Sequence, residues 1–211
     1  MLGYVNEAAE FLLGLGNIEA LVLACNTATS VAAASLRSKY DIPILGMEPA
    51  VKPAVTADKV HRILVTATPL TLREEKMQAL LAKWDNEHLS DLLPLPKLVE
   101  FAEKGDFQSP AVEEYLQDEL SNFALANYSA IVLGCTHFNF FRHTLRRLLP
   151  ANVHIIDGSQ GTVRYLASLV DESEEKGKVS FYNSKVLVSE AEELARYQKL
   201  LAILEDNMRI E

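Results

Sequence analysis

The chain has little cysteine: two residues in 211, too few for the disulfide frameworks that hold small secreted domains together. No apolar run approaches the roughly 20 residues that a transmembrane helix needs. The first residues, MLGYVNEAAEF, lack the basic start and the long apolar stretch of a secretory signal peptide. Together these absences predict a cytoplasmic protein that does not associate with membranes.

Basic residues are also fewer than acidic ones. The chain has 20 Lys and Arg against 29 Asp and Glu, so its formal net charge at pH 7 is −9. An excess of negative charge disfavours a nucleic-acid backbone or an anionic membrane as partner. Apolar residues, in contrast, make up 49% of the composition, which is enough for a sizeable core and is not typical of disorder.

Short apolar runs alternate with amphipathic segments along most of the chain. The apolar runs predict strands at 19–25, 42–47, 61–68, 129–135, 153–157 and 179–182. The amphipathic segments predict helices at 7–15, 27–40, 69–84, 109–128, 138–150, 160–172 and 189–206. Because parallel strands need long return connections, this alternation predicts an α/β fold with parallel sheets flanked by helices.

Two proline-containing segments are candidate boundaries between lobes. AVKPAV, at 50–55, is interpreted as a crossing segment, and a second crossing begins at Pro150. One lobe would then consist of 50–152, and a discontinuous first lobe would combine 1–49 with 153–211. The charged stretch at 174–178 is interpreted as a solvated turn.

Both cysteines lie in similar sequence surroundings. VLACNTATS (22–30) and VLGCTHFNF (132–140) each place a cysteine after an apolar strand and before a predicted helix, which Asn26 or Thr27 would cap in the first case. In open α/β sheets, ligands bind at such strand ends. Free N–H groups and the helix dipole there favour an anionic ligand and the thiolate form of a nearby cysteine. Each thiol is followed by polar side chains that can hydrogen-bond a substrate: Asn26, Thr27, Thr136 and His137.

Two other interpretations of the cysteines are open. A single cysteine is often a small buried hydrophobe without a chemical role. Cys25, Cys135 and His137 could instead hold a metal, but these three ligands lack the usual Cys-x2-Cys spacing, so no metal is expected. A matched pair of thiols suits racemisation, in which one group removes a proton from one face of a carbon and another group returns a proton to the opposite face.

Several stretches closely resemble the bacterial glutamate racemases, which belong to the cofactor-independent aspartate/glutamate racemase superfamily. The resemblance rests on motifs at both cysteines and elsewhere: LVLACNTATS, IPILGMEPAVKPA, TATPLTLREEK, IVLGCTHFNFFRHTL, VHIIDG, VSFYNS and AEELARY. It covers nearly the whole chain. It implies a fold of two similar α/β lobes, an active site between the lobes, and no cofactor.

The resemblance also implies roles for individual residues. Cys25 is expected to deprotonate D-glutamate and Cys135 to deprotonate L-glutamate, with His137 assisting Cys135. Glu103 is expected near the second thiol, and Glu100 is the alternative alignment. The residues expected to bind the substrate are Asn26, Thr27, Thr68, Thr71, Thr136 and His137.

The sequence departs from the family in two places. Met1 aligns inside the helix that precedes the first cysteine motif, so the family's Asp-Ser-Gly-Val-Gly-Gly turn and Pro-Tyr-Gly loop are missing. The first lobe is therefore expected to be incomplete and to lack the carboxylate that supports Cys25. The second departure is milder: Phe138 and Asn139 stand where the family has an aromatic residue and proline.

Charged side chains near the second motif are interpreted from their position in the sequence. Asp157 ends a predicted strand and is a candidate for approaching the active site. Arg142, Arg146 and Arg147 fit the solvated end of a helix, where positive charge is favourable.

The leading hypothesis is a glutamate racemase that supplies D-glutamate for peptidoglycan synthesis. Glutamate would be its small-molecule partner, and a homodimer is left open. One alternative is a racemase of the same superfamily that acts on another amino acid, such as aspartate. The other is a truncated chain that is impaired, inactive or a binding subunit, because expected residues of the first lobe are missing.

Overall fold

A computed structural model of the chain describes residues 1–170 and 177–209. Its helices are α1 (Leu2–Gly14), α2 (Asn26–Lys39), α3 (Val51–Ala57), α4 (Pro69–Arg73), α5 (Glu75–Trp84), α6 (Pro96–Glu103), α7 (Pro110–Leu120), α8 (Arg142–Leu148), α9 (Ser159–Ala167) and α10 (Ala191–Asn207). Its strands are β1 (Leu21–Leu23), β2 (Ile44–Gly46), β3 (Arg62–Ala67), β4 (Ser90–Pro94), β5 (Tyr128–Leu133), β6 (His154–Asp157), β7 (Tyr182–Asn183) and β8 (Val186–Leu187). Short 3₁₀ turns span Leu125–Asn127 and Thr136–Phe141, and the second of these is named the His137 turn.

The larger sheet has four parallel strands in the order β4-β3-β5-β6. Its two central strands, β3 and β5, are apolar along nearly their whole length because both of their faces are covered. Ile63, Val65 and Val132 have no exposed surface and pack with Val51 of α3 and Met77 of α5. This core holds the central strands between helices.

The smaller parallel sheet consists of β1 and β2. Leu21 and Leu23 of β1 pack against the alanine-rich face of α2, where Ala32 and Ala33 are buried. Short side chains let the helix approach the sheet closely. The start of α2, which carries Cys25 as its flanking residue, is thereby fixed relative to β1.

The described residues form two compact units. One contains Met1–Met47 and the described part of Ser159–Glu205. The other contains Glu48–Gly158 and the described residues from Asp206 onward. The four-stranded sheet lies in the second unit, and the β1–β2 sheet lies in the first. Within the described ranges, no helix has both the length and the apolar character needed to cross a bilayer.

The predicted α/β fold with parallel sheets is confirmed, since all four pairs in the two main sheets are parallel. The strand predicted at 179–182 differs, because β7 pairs antiparallel with β8 in a hairpin. Ser184 and Lys185 join the two strands with φ of 48° and 72°, the backbone that a tight hairpin turn requires. The solvated turn at 174–178 and the end of the helix predicted at 160–172 lie largely outside the described residues.

Three elements that contain proline were not predicted from the sequence. The segment at 50–55 was interpreted only as a crossing, but residues 51–55 are helical and belong to α3, where Pro53 lies in the first turn and no helical hydrogen bond is lost. β4 and α6 were not predicted. β4 tolerates Pro94 because it is an edge strand, and Pro96 begins α6, where proline is favourable.

Two predicted helices are shorter than their periodicity indicates. The segment 69–84 forms α4 and α5, because Glu74 adopts an extended backbone with φ −63° and ψ 139°. The segment 109–128 is helical only to Leu120, and Tyr128 already begins β5. In both cases apolar spacing continues past the point at which the chain must turn toward its next element.

Asp85 closes the turn between α5 and β4. Its carboxylate accepts the backbone N–H groups of Leu89 at 2.8 Å and Ser90 at 2.9 Å, and the residue is buried. Burial raises the pKa of the Asp85 carboxyl, but hydrogen bonds from Ser90 and Leu89 outweigh it, so that the pKa lies below its usual value. The charged form therefore stabilises the turn.

We expect Asp85→Asn to lower the free energy of unfolding by about 1–3 kcal/mol at neutral pH, because one amide oxygen cannot replace two carboxylate oxygens at buried donors. The carboxylate's contribution is present above its unfolded pKa of about 3.9 and is lost as pH falls through the lower folded pKa. Urea unfolding of both proteins across this range measures the difference. A difference that stays constant in acid would contradict a role for the charge.

Candidate active site

The first cysteine is the N-terminal cap of α2. Cys25 has an extended backbone, φ −149° and ψ 125°, and its Sγ accepts the N–H of Ala28 at 3.5 Å. The expectation that Asn26 or Thr27 caps this helix is therefore wrong, because the sulfur itself occupies the capping position. The backbone donor and the positive end of the helix dipole stabilise negative charge on an atom placed there.

Two neighbouring contacts fix the Cys25 turn. Thr29 donates its N–H to the carbonyl of Cys25 at 2.9 Å and its hydroxyl to the carbonyl of Leu23 at 3.2 Å. Its methyl group fills space that Gly46 leaves open, since a Cβ at Gly46 would lie 2.2 Å from Thr29 Cγ2. Asn26 and Thr27, both predicted to bind the substrate, are buried in the first turn of α2.

The second cysteine repeats the backbone geometry of the first. Cys135 follows β5, occupies the N-cap position of the His137 turn and has φ −136° and ψ 134°. Gly134 precedes it and donates its N–H to the carbonyl of Thr66 in β3 at 2.6 Å. A Cβ at Gly134 would lie 2.7 Å from that carbonyl oxygen, so glycine is required for this close approach of β5 to β3.

A chain of side chains links the second thiol to a carboxylate. Cys135 Sγ lies 3.8 Å from His137 Nδ1, and His137 Nε2 lies 3.0 Å from Glu103 Oε1. Glu103 is therefore the α6 carboxylate that reaches the histidine. Its side chain is 69% exposed, so this contact adds little to the stability of the fold.

The threonines predicted to bind the substrate lie on two segments of the second unit. Thr68 caps α4, accepts the N–H of Thr71 at 3.2 Å, and places its hydroxyl oxygen 3.0 Å from that of Thr71. This pair follows β3, and Cys135 and Thr136 follow the neighbouring parallel strand β5. Parallel strands end at the same edge, so Thr68, Thr71, Cys135 and Thr136 share one edge of the larger sheet.

The structure thus groups the predicted site residues by unit. Cys25, Asn26 and Thr27 lie together in the first unit. The second unit contains the rest: Thr68, Thr71, Glu103, Cys135, Thr136 and His137. Among the described residues, neither cysteine forms a disulfide bond. No group of three or more His, Cys, Asp or Glu side chains in the described parts of the chain could hold a metal ion.

The prediction of a solvated Arg142 is wrong. Only 5% of Arg142 is exposed, and its guanidinium donates to Asn139 Oδ1 at 3.0 Å, to the carbonyl of Ile155 at 3.1 Å and to the carboxylate of Asp157. Asp157 thereby anchors the start of α8. The helical position of Arg142 did not reveal this, because the carboxylate and the carbonyl come from β6.

Sequence reasoning missed Thr29 and Gly134. Thr29 lies in a hydroxyl-rich motif, and the sequence alone did not distinguish its structural role from the polar roles of its neighbours. Gly134 had a signal, since glycine at the end of a strand often marks a close approach of two backbones. Which strand it approaches became known only from the sheet order.

The family follows from comparison with known proteins. The model of the Asp/Glu/Hydantoin racemase family matches residues 4–166. The chain belongs to this family. Its relatives include Glutamate racemase 2 of Bacillus subtilis (strain 168), 45% identical over 98% of this chain and 80% of the relative. The glutamate racemase of Halothermothrix orenii is 49% identical over 86% of this chain and 74% of the relative.

Solved structures show the same fold. The glutamate racemase from Campylobacter jejuni subsp. jejuni matches with a TM-score of 0.75 at 27% identity, covering 94% of this chain and 78% of that one. Escherichia coli glutamate racemase in complex with L-glutamate and activator UDP-MurNAc-ala gives 0.74 at 26% identity, covering 85% and 69%. An aspartate racemase from Picrophilus torridus, at 17% identity and a TM-score of 0.55, shares the fold alone and covers 79% and 68%.

We expect Gly134→Ala to lower the free energy of unfolding by about 1–3 kcal/mol, because its Cβ forces β5 away from β3. Gly161→Ala is the matched control: nothing lies within 4 Å of a Cβ there, and alanine favours α9. Urea unfolding measures both variants. The interpretation fails if Gly134→Ala is as stable as the original chain.

Proposed function

We propose that the chain interconverts L- and D-glutamate by a two-thiol mechanism without a cofactor. The glutamate racemases to which it is 41–49% identical support the substrate. The observation that carries the mechanism is that the two cysteines occupy matching capping positions with matching backbone conformations.

The chemistry needs one base and one acid on opposite faces of the α-carbon. In one direction a thiolate removes the α-proton, and the electron pair left on carbon is taken up by the substrate carboxylate. The other thiol then donates its proton to the opposite face, which leaves the enantiomer and a thiolate of the second cysteine. In this scheme Cys25 deprotonates D-glutamate and Cys135 deprotonates L-glutamate.

The polar residues beside the thiols have a separate task. Hydrogen-bond donors at the substrate carboxylate stabilise the charge that develops as the proton leaves. The residues proposed to hold the carboxylate and amino groups are Asn26, Thr27, Thr68, Thr71, Thr136 and His137. Metal ions and electron-sink cofactors have no step in this scheme.

His137 and Glu103 are proposed to act through Cys135. The imidazole lies between the sulfur and the carboxylate, so it can take part in proton movement at the sulfur. Glu103 holds one ring nitrogen and so presents the other toward Cys135. Cys25 has its contact from the backbone N–H of Ala28 instead.

Glutamate is favoured over aspartate as substrate, because the relatives that match most of the chain are glutamate racemases. The product D-glutamate would serve peptidoglycan synthesis. A cytoplasmic location, a homodimer and the lobe boundaries at 1–49 with 153–211 and at 50–152 stay predictions.

The activity is tested by α-proton exchange in deuterated water, with each enantiomer supplied separately and followed by NMR. No exchange from cooperatively folded protein would favour a binding subunit.

We expect Cys25→Ser and Cys135→Ser each to abolish racemisation, because a hydroxyl is far less acidic than a thiol and cannot replace it in either role. Conversion of each pure enantiomer is followed by circular dichroism. Thermal melting of both variants confirms that they fold. A rate that stays unchanged in either variant would remove the two-thiol mechanism.

Glu103→Gln is expected to lower turnover about tenfold, because the neutral amide no longer fixes the imidazole beside Cys135. The free energy of unfolding should change by less than about 0.5 kcal/mol, since the ion pair is exposed. Glu100→Gln, on the same helix, is the control and should leave turnover unchanged. Equal effects of the two substitutions would argue against the Glu103 contact.

A further inference from the structure

The last residue of α10 is buried although it is polar. Asn207 is 4% exposed, and it is the buried residue of this helix, whose other sixteen positions are at least partly exposed. Burying an amide group is costly unless it forms hydrogen bonds. A buried asparagine at this position therefore indicates a specific contact rather than general packing.

That contact is made with the His137 turn. The side-chain amide of Asn207 donates to the carbonyl of Asn139 at 3.1 Å and to the carbonyl of Phe140 at 3.0 Å. An amide nitrogen has two hydrogens, so both can be used at once. Two consecutive carbonyl groups of the turn are thus held by one side chain that is distant in sequence.

Asn139 is held on its side-chain end as well. Its Oδ1 accepts from Arg142 Nε, while its backbone carbonyl accepts from Asn207. Phe138 and Phe141, which flank Asn139 and Phe140 in the sequence, are fully buried. The end of the turn is consequently fixed, and the start of the same turn carries His137 beside Cys135.

We propose that Asn207 is a positioning residue that sets the placement of His137 and Cys135. The inference rests on the proposed racemisation. Loss of its two bonds lets the turn shift, and a shift of about 1 Å in a catalytic group can cost up to a hundredfold in rate. The effect is confined to the second thiol, because Cys25 lies in another unit of the chain and is held by Ala28 and Thr29.

Asn207→Asp tests the inference with almost no change in shape. It replaces the amide donor with a carboxylate that repels the two carbonyl oxygens. Asn207→Ala removes the donor without adding charge and serves if the aspartate variant does not fold. Asn122→Asp is the matched control, because Asn122 is exposed and its amide also donates to two backbone carbonyls, those of Asp118 and Glu119.

The readout is the deuterium isotope effect on kcat/KM for each enantiomer labelled at the α-carbon. We expect kcat/KM to fall about tenfold in both directions, since the enantiomers are equal in energy. The isotope effect should rise with L-glutamate, whose proton Cys135 removes, and fall with D-glutamate. Thr29→Val, which loosens the Cys25 turn, should give the opposite pattern. Equal changes with both enantiomers in Asn207→Asp, or no change, would overturn the inference.

Alkylation of the thiols separates this inference from the proposed function. Iodoacetamide labelling over a range of pH, quantified for each cysteine by mass spectrometry, needs no turnover. In Asn207→Asp we expect the rate of Cys135 labelling to change severalfold over this pH range. The rate of Cys25 labelling should stay unchanged at each pH. Absence of glutamate exchange in the original chain would reject the racemisation alone. Labelling that changes at both cysteines, or at neither, would reject the role of Asn207.

Discussion

The close pairing of β5 with β3 is the constraint on which the second unit depends. The hydrogen bond from Gly134 to Thr66 extends this pairing beyond Leu133, the last residue of β5. The ends of both strands therefore stay aligned, and the segments that follow them start from one edge of the sheet. Those segments carry the Thr68 and Thr71 hydroxyl pair and the His137 turn, so a single backbone contact governs the placement of both.

The two cysteines share a backbone geometry but differ in what supports them. Cys25 receives a backbone N–H, a group that keeps its proton under all ordinary conditions. Cys135 instead faces the imidazole of His137, whose other ring nitrogen lies against Glu103. A reaction that is symmetric in its substrates is thus proposed to use two chemically unequal halves. Cys25 has a backbone group as its partner, and Cys135 has a pair of side chains, His137 and Glu103.

The sequence predicted the parallel α/β fold, because apolar runs of strand length and the helical segments between them can be recognised locally. Proline-containing elements such as α3 and β4 were missed, since the tolerance of Pro53 and Pro94 depends on a first helical turn and an edge strand. At the site, residues that follow a strand directly were nominated from their motifs. The roles of Arg142 and Asn207 could not be predicted, because both contact residues on other elements and local sequence spacing does not indicate such contacts.

The contact between Gly46 and Thr29 has a consequence for how this chain can vary. A side chain at position 46 would occupy the space of the Thr29 methyl group, so alanine there becomes tolerable only after position 29 has lost that group. Serine at position 29 is not enough, because the hydroxyl oxygen would still lie 2.9 Å from that Cβ, whereas alanine at position 29 removes both atoms and gives up the hydrogen bond to the carbonyl of Leu23. The two replacements are therefore compatible in one order and incompatible in the other, and an evolutionary path through this pair would have a direction.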